Sequence, residues 1–282
     1  MRKNHVTTLL LIFILIAGLS LLLYPTFADW WNSMHQSRAI VEYDSTLAEM
    51  EPEDYSALFA AAEDYNRRLS REAHPIWFHE NVSGYEEALN LSGTGIMGYI
   101  QIPNIEVSLP IYHGTSEGVL QVAVGHLEGT SLPVGGEGTH TVLSAHRGLP
   151  SSRLFTDLDK LEAGDLFTVN VLDRVLTYEV DQILIVEPQV VEPLYVVKGQ
   201  DYCTLVTCTP YGINTHRLLV RGHRVETVEA AKAVRVTSNA IVIEPMLVAP
   251  VIAAPVLLVL LIVLMIPKRP RYHRGGDDFE IQ

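Results

Sequence analysis

Two uncharged apolar stretches bracket the chain: residues 9–24, "LLLIFILIAGLSLLLY", and residues 246–266, "MLVAPVIAAPVLLVLLIVLMI". A bilayer core about 30 Å thick takes roughly 20 apolar helical residues to cross. The second stretch meets that length. The first is shorter but continues through Pro25 to Phe27 and then to Trp30 and Trp31, a pairing suited to a membrane interface. The competing reading of the first stretch is a cleavable signal segment ending at "TFA" before Asp29. Its apolar run is longer than such segments need, which favours a retained anchor. Arg2 and Lys3 precede the first stretch, and Lys268, Arg269, Arg271 and Arg274 follow the second. Positive flanks stay inside, so both termini are expected in the cytoplasm of a two-span membrane protein, with residues 29–245 outside. That external part holds 14 basic and 30 acidic residues, a net of −16 within a whole-chain formal charge of −13. An acidic domain of this kind lacks the basic face that nucleic acid requires.

Between the spans the pattern changes near residue 95. Residues 37–71 read as helix, with a start at Pro52 followed by Glu53 and Asp54, since proline and acids both suit a first helical turn. Ala57, Leu58, Ala61, Ala62, Tyr65 and Leu69 form an apolar stripe at helical spacing. Residues 74–91 show no clear period and read as a loop with apolar anchors. From Gly98 onward come short β-branched runs, "GYIQIP", "IEVSLPIY", "HTVLSAH", "FTVNVL", "LTYEVDQILIVEP", "YCTLVTCT" and "RLLVRGHRVE", divided by Gly, Pro and Asp turns. Such spacing predicts an all-β barrel or sandwich, with one short helix allowed in 152–160. The expected division is therefore 1–28 anchor or signal segment, 29–95 helical region with a loop, 96–226 β domain, 227–245 linker, 246–267 second membrane helix and 268–282 cytoplasmic tail.

The chain has two cysteines, Cys203 and Cys208. In one strand, residues five apart point to opposite faces and lie about 16 Å apart at about 3.3 Å per residue. A disulfide needs Cα atoms within about 7 Å, so this pair is not joined. Zinc through Cys208 with His113, His126, His140 or His216 finds no supporting ligand spacing, and the acids of 187–201 are too scattered for a calcium loop. Two readings of Cys208 remain at this level, a packed apolar thiol and a nucleophile. For the second, His146 and Arg217 stand at neighbouring strand ends, as Cys208 does. A histidine can protonate a leaving amine, and a permanently charged guanidinium with the Thr209 backbone N–H can stabilise an oxyanion.

"HTVLSAHRGLP" and "TLVTCTPYGINTHRLLVRG" strongly resemble the sortase family, with about 60 residues from His146 to Cys208 and nine from Cys208 to Arg217. The likeness extends through "GYIQIPNIEVSLPIYHGTSEGVL", "GHLEGTSLPVGGEGTH" and "LFTDLDKLEAGDLF", roughly 97–225. The stretch "TCTPYGINTHRL" with paired terminal apolar segments looks like class C, the pilus-polymerising sortases of Gram-positive bacteria. The resemblance implies an eight-stranded β-barrel preceded by a helical lid region and flanked by two transmembrane helices. It implies Cys208 as nucleophile, His146 as general acid/base and Arg217 as oxyanion or substrate stabiliser, with no cofactor and no metal. It further implies a cysteine transpeptidase that cleaves a Leu-Pro-x-Thr-Gly-like signal of pilin subunits and joins them to a pilin lysine. The runner-up is attachment to a cell-wall amine, and a non-catalytic pilus scaffold is a third reading. Class C sortases commonly carry an Asp-Pro-aromatic lid motif. Here "REAHPIWFHE" keeps Pro75 but has His74 for the acid and Ile76 for the aromatic, with Trp77 next. His74, Pro75 and Trp77 are therefore the lid candidates, with two readings open: Trp77 as a cover for the thiol, and a plain connector.

Overall fold

The computed structural model describes residues 2–91 and 93–227. The second apolar stretch, the linker and the cytoplasmic tail anticipated from the sequence lie outside the described residues. The chain divides into two units, one containing Met1–Thr26 and one beginning at Phe27, and helix α1 (Arg2–Ala48) runs through the boundary. Within α1, the stretch from Val6 includes a window of mean hydropathy 2.8 with no buried residues, long and apolar enough to cross a membrane. The helix continues past residue 28, the expected end of the anchor segment, to Ala48, with Pro25 inside.

In the second unit, the C-terminal part of α1 packs on the β domain through Tyr43 and Leu47. The Tyr43 hydroxyl donates to Met97 O at 3.0 Å and accepts from Leu172 N–H at 2.8 Å. Helix α2 (Pro52–Leu69) starts where expected, with Glu53 and Asp54 in its first turn and Arg67 and Arg68 in its last, each charge set against the helix dipole that favours it. Its buried stripe is Phe59, Ala62, Tyr65 and Leu69, while Ala57 and Ala61 face solvent. The stripe is thus rotated from the sequence expectation. Turning Phe59 inward removes more apolar surface from water than turning in two alanines would. Asn66 is also buried, and its amide exchanges two hydrogen bonds with the Leu132 backbone, 2.7 and 3.2 Å.

The β domain is a closed eight-stranded barrel: β1 (Ile96–Ile102), β2 (Val107–His113), β3 (Val124–His126), β4 (Thr139–Ser144), β5 (Leu166–Val171), β6 (Arg174–Val186), β7 (Asp201–Thr209) and β8 (His216–Val225). Around the barrel the order is β1-β2-β3-β4-β7-β8-β6-β5. The β2/β3 and β4/β7 pairs are parallel and the others antiparallel. Closure leaves no free sheet edge. Short helices α3 (Pro75–Phe78) and α4 (Glu117–Leu120) interrupt the connections. Residues 152–160 hold a single 3-10 turn, Leu158–Lys160.

Strand alternation separates two apolar clusters. Cys203, Leu205, Leu218 and Val220 face the barrel interior, within the main core. Val142, Val206 and Leu219 face outward and form a second cluster with Leu194, joined by Leu127, Leu184, Val186 and Ile76.

Candidate active site

Cys208 and Arg217 are sequence neighbours only across a turn, but the sheet makes them partners. Strands β7 and β8 pair so that Cys208 lies directly opposite Arg217. Opposed residues of an antiparallel pair share a face, with Cβ atoms about 4.5–5.5 Å apart. His146 arrives from the other side. Strand β4 runs parallel to β7 with Ser144 matched to Val206. The chain then stays beside β7: Ala145 N–H donates to Val206 O at 3.1 Å, and Thr207 Oγ1 donates to Ala145 O at 2.9 Å. Two residues beyond the Ser144–Val206 pair stand His146 and Cys208. The three residues singled out in the sequence are therefore brought to one end of three adjacent strands. They continue the outward face that begins with Val142, Val206 and Leu219. Both cysteines are free, Cys203 buried and Cys208 half-buried. Burial pushes the Cys203 thiol well up, aided by the nearby Asp201 carboxylate, so Cys203 stays a neutral core residue.

Side chains around these three were not singled out by sequence reasoning. Among the described residues, the buried Nε2 atom of His146 has no hydrogen-bond partner, and it lies 3.7 Å from Glu117 Oε2. That is beyond hydrogen-bond length but close enough for ionic attraction to an imidazolium. Glu117 Oε1 accepts from Gln121 Nε2 at 3.0 Å, which orients the carboxylate. The His146 side chain keeps 28% exposure. Its carbonyl accepts from Phe155 N–H at 3.1 Å, and Phe155 is wholly buried.

Arg147, beside it, pairs with Asp159, donates toward Thr209 Oγ1 at 3.5 Å and lies 5.9 Å from the centre of the Tyr211 ring. Tyr211 in turn covers Gly148, where an added Cβ would come within 2.7 Å of the ring and φ is +75°. The turn after His146 and the turn after Cys208 are thus packed together. Arg217 Nη1 donates to His216 O at 3.1 Å and Asn214 O at 3.4 Å, and among the described residues it has no carboxylate partner. Neither Glu117 nor Asp159 carries a sequence signal for these contacts, because each arrives from a distant connection.

The lid candidates lie at the start of α3. His74 O accepts from Trp77 N–H and Phe78 N–H, at 3.0 and 3.1 Å, which closes α3 behind Pro75. That turn points Ile76 into the outward apolar cluster containing Val206, while Trp77 keeps 59% exposure. Of the residues in this turn, Ile76 is the one packed against the outward cluster. Gly129 lies beneath the turn, and a Cβ there would come within 2.4 Å of Pro75 O.

The remaining histidines serve the framework, as expected for His126 and His140. His126 Nε2 donates to Ser131 O at 2.9 Å and Nδ1 accepts from the Tyr85 hydroxyl at 2.9 Å. His140 Nδ1 donates to Tyr195 O at 3.0 Å and Nε2 accepts from Thr204 Oγ1 at 2.7 Å. Burial pushes both imidazoles down to about 4, keeping them neutral. His113 is held between Gly95 O and Ala88 O at 2.9 and 2.7 Å.

Comparison with known proteins gives a consistent answer. The sortase domain family matches residues 100–225. The structure is similar to sortase C1 from Streptococcus agalactiae, 53% identical with a TM-score of 0.64, covering 68% of this chain and all of that one. It is also similar to Clostridium perfringens sortase C solved with the C-terminal cell wall sorting motif, 43% identical with a TM-score of 0.60, covering 68% of this chain and all of that one. Sortase A of Streptococcus agalactiae serotype III (strain NEM316) is 30% identical over 141 residues, which is 49% of this chain, and the chain spans 56% of that relative's length. A domain match over nearly the whole barrel, and a 53% identical structure matched from end to end, lead to one assignment: the chain belongs to the sortase family.

Proposed function

We propose that this chain is a membrane-anchored cysteine transpeptidase acting on pilin subunits. The observation that carries the reading is the cross-strand pair Cys208–Arg217 with His146 aligned beside Cys208 by the β4/β7 register. The Cys208 thiolate attacks the Thr carbonyl carbon of a Leu-Pro-x-Thr-Gly-like signal. Arg217, whose guanidinium among the described residues is engaged by two backbone carbonyls, stabilises the oxyanion. His146 gives its proton to the departing Gly amine, the Thr–Gly bond breaks and a thioester remains on Cys208. A pilin lysine amine then attacks the thioester, His146 takes its proton, and the thiolate leaves as the isopeptide bond forms. The apolar outward cluster supplies a floor for the Leu-Pro part of the signal. The sorting motif named with the similar Clostridium perfringens sortase C, and the class C resemblance of the "TCTPYGINTHRL" segment, support this substrate and acceptor. In this reading residues 96–226 form the catalytic domain outside the cell, both termini are cytoplasmic, and 246–267 provide the second span.

The test incubates full-length protein with candidate pilins. Wild type should yield a thioester on Cys208, seen by mass spectrometry and cleaved by hydroxylamine, and then high-molecular-weight ladders. Cys208→Ala should yield neither. Only monomeric wall-linked product would favour cell-wall anchoring, and ladders formed by Cys208→Ala would overturn the enzyme reading altogether.

A further inference from the structure

We propose that the segment of α1 from Asp29 to Gln36 is a positioning strut for His146, an inference that rests on the transpeptidase reading. Asp29, Asn32 and Gln36 are spaced three and four apart, so they share one helix face. All three reach backbone or side-chain groups more than eighty residues away. Asp29 Oδ1 accepts from Arg153 N–H at 2.9 Å. Asn32 Nδ2 donates to Ser151 O at 2.8 Å. Gln36, only 9% exposed, donates through Nε2 to Ser152 Oγ at 3.2 Å and to Val122 O at 2.7 Å.

These contacts converge on two pieces of chain that matter to His146. Ser151, Ser152 and Arg153 form the far end of the loop that leaves His146 and returns to it, closed by the Phe155 N–H to His146 O bond. Within that loop Leu149 bridges to Ser152. Val122 follows α4, which carries the Glu117 carboxylate facing His146 Nε2. Its position there is fixed by its N–H donating to Val119 O at 3.1 Å. One helix face therefore holds both the backbone that carries the imidazole and the segment bearing its acidic neighbour. His146 itself lies past the end of β4, so the barrel ladder alone does not fix it. The strut follows directly on the apolar part of α1, which makes the anchor helix part of the catalytic scaffold as well as a tether.

The test uses the full chain in lipid nanodiscs, comparing wild type with the double substitution Asn32→Ala and Gln36→Ala and with Asp29→Asn, which retains an acceptor oxygen for Arg153 N–H. The pH profile of Cys208 alkylation by iodoacetamide needs no peptide substrate and reports the thiol's imidazole neighbour. In the double variant this profile should shift toward that of His146→Ala. Amide hydrogen exchange should rise at least about tenfold across 147–153 and stay unchanged in β7. Peptide transfer should lose about tenfold in kcat with KM within about twofold, as expected for misplacement of a reacting group. Asp29→Asn should behave nearly as wild type. An unchanged alkylation profile, or exchange that rises uniformly over the barrel, overturns the strut. If wild type transfers no peptide while the alkylation and exchange changes occur, the substrate reading fails and the strut stands.

Discussion

At the scale of single residues, Arg217 is the most demanding member of the site. Its guanidinium is held by two carbonyls of its own turn, which fixes the planar fork opposite Cys208. Lysine keeps the charge but offers a mobile point donor in place of a fork. Arg217→Lys should therefore fold normally and lose about 10²- to 10³-fold in kcat, the usual effect of losing one oxyanion donor. Steady-state kinetics checks this, and a loss below about threefold would remove Arg217 from that role. Glu117 makes a subtler contribution. Glu117→Gln keeps the bond with Gln121 but removes the charge 3.7 Å from His146 Nε2. Because the carboxylate is 72% exposed and hence well screened, its loss should lower kcat by only a few-fold, with little change in KM. What the sequence conveyed here was residue identity and order. Cys208, His146 and Arg217 stood out because each ends or begins an apolar run, and the resemblance gave them roles. It could not convey that β4 and β7 run parallel, and that pairing sets His146 beside Cys208. Nor could it find Glu117 or Asp159, whose contacts depend on tertiary approach.

At the scale of elements, the two readings of the lid region, cover and plain connector, make different predictions about α3. Aromatic residues near an active site invite the reading of Trp77 as a cover. In the four-residue helix Trp77 stays exposed while Ile76 packs against the outward cluster. Partial burial of one isoleucine is worth about 1 kcal/mol, roughly half of what full burial gives. That corresponds to about a fivefold change in the open population of the segment. Ile76→Ala should thus speed alkylation of Cys208 about fivefold, whereas Trp77→Ala should change it less than about twofold. The opposite ranking would return the covering role to Trp77. Gly129→Ala should act in the same direction as Ile76→Ala, since its new Cβ collides with Pro75 O and its φ of +80° disfavours a side chain. The strands were legible from alternation and turn residues, and the start of α2 from Pro52 and its acids. The rotation of the α2 stripe was not, because a count of apolar positions treats alanine and phenylalanine alike while burial weighs their areas.

At the scale of the whole molecule, stability should depend on pH through histidines that take no part in the proposed chemistry. His126 and His140 lie on different strands and are both held neutral, with folded values near 4 against about 6.5 when unfolded. For His126 burial dominates; the Ser131 carbonyl opposes it, and His113 adds a smaller push in the same direction as burial. For His140 burial also dominates. Arg221 reinforces it, while the Tyr195 carbonyl and Asp181 oppose it. Between pH 6.5 and 4 the unfolded chain binds more protons at these sites than the folded one, so unfolding is favoured as pH falls. Their stabilising contribution is complete above about pH 6.5 and is lost as the pH approaches 4. A depression of about 2.5 units corresponds to about 3 kcal/mol per histidine at the acid end, a large share of a typical folding free energy of 5–15 kcal/mol. His140 also joins β4 to Thr204 of β7 and to Tyr195 in the connection between β6 and β7. Acid should therefore loosen the β6–β7 connection at that histidine as well as lower the global stability. Denaturant unfolding of the full chain in detergent from pH 7.5 to 4, repeated with His140→Gln, tests the sign. Glutamine offers both a donor and an acceptor but does not titrate, so the variant should be less stable at pH 7.5 yet lose less stability on acidification. An unfolding free energy that falls by the same amount in both proteins would show that His140 is not a source of the acid sensitivity.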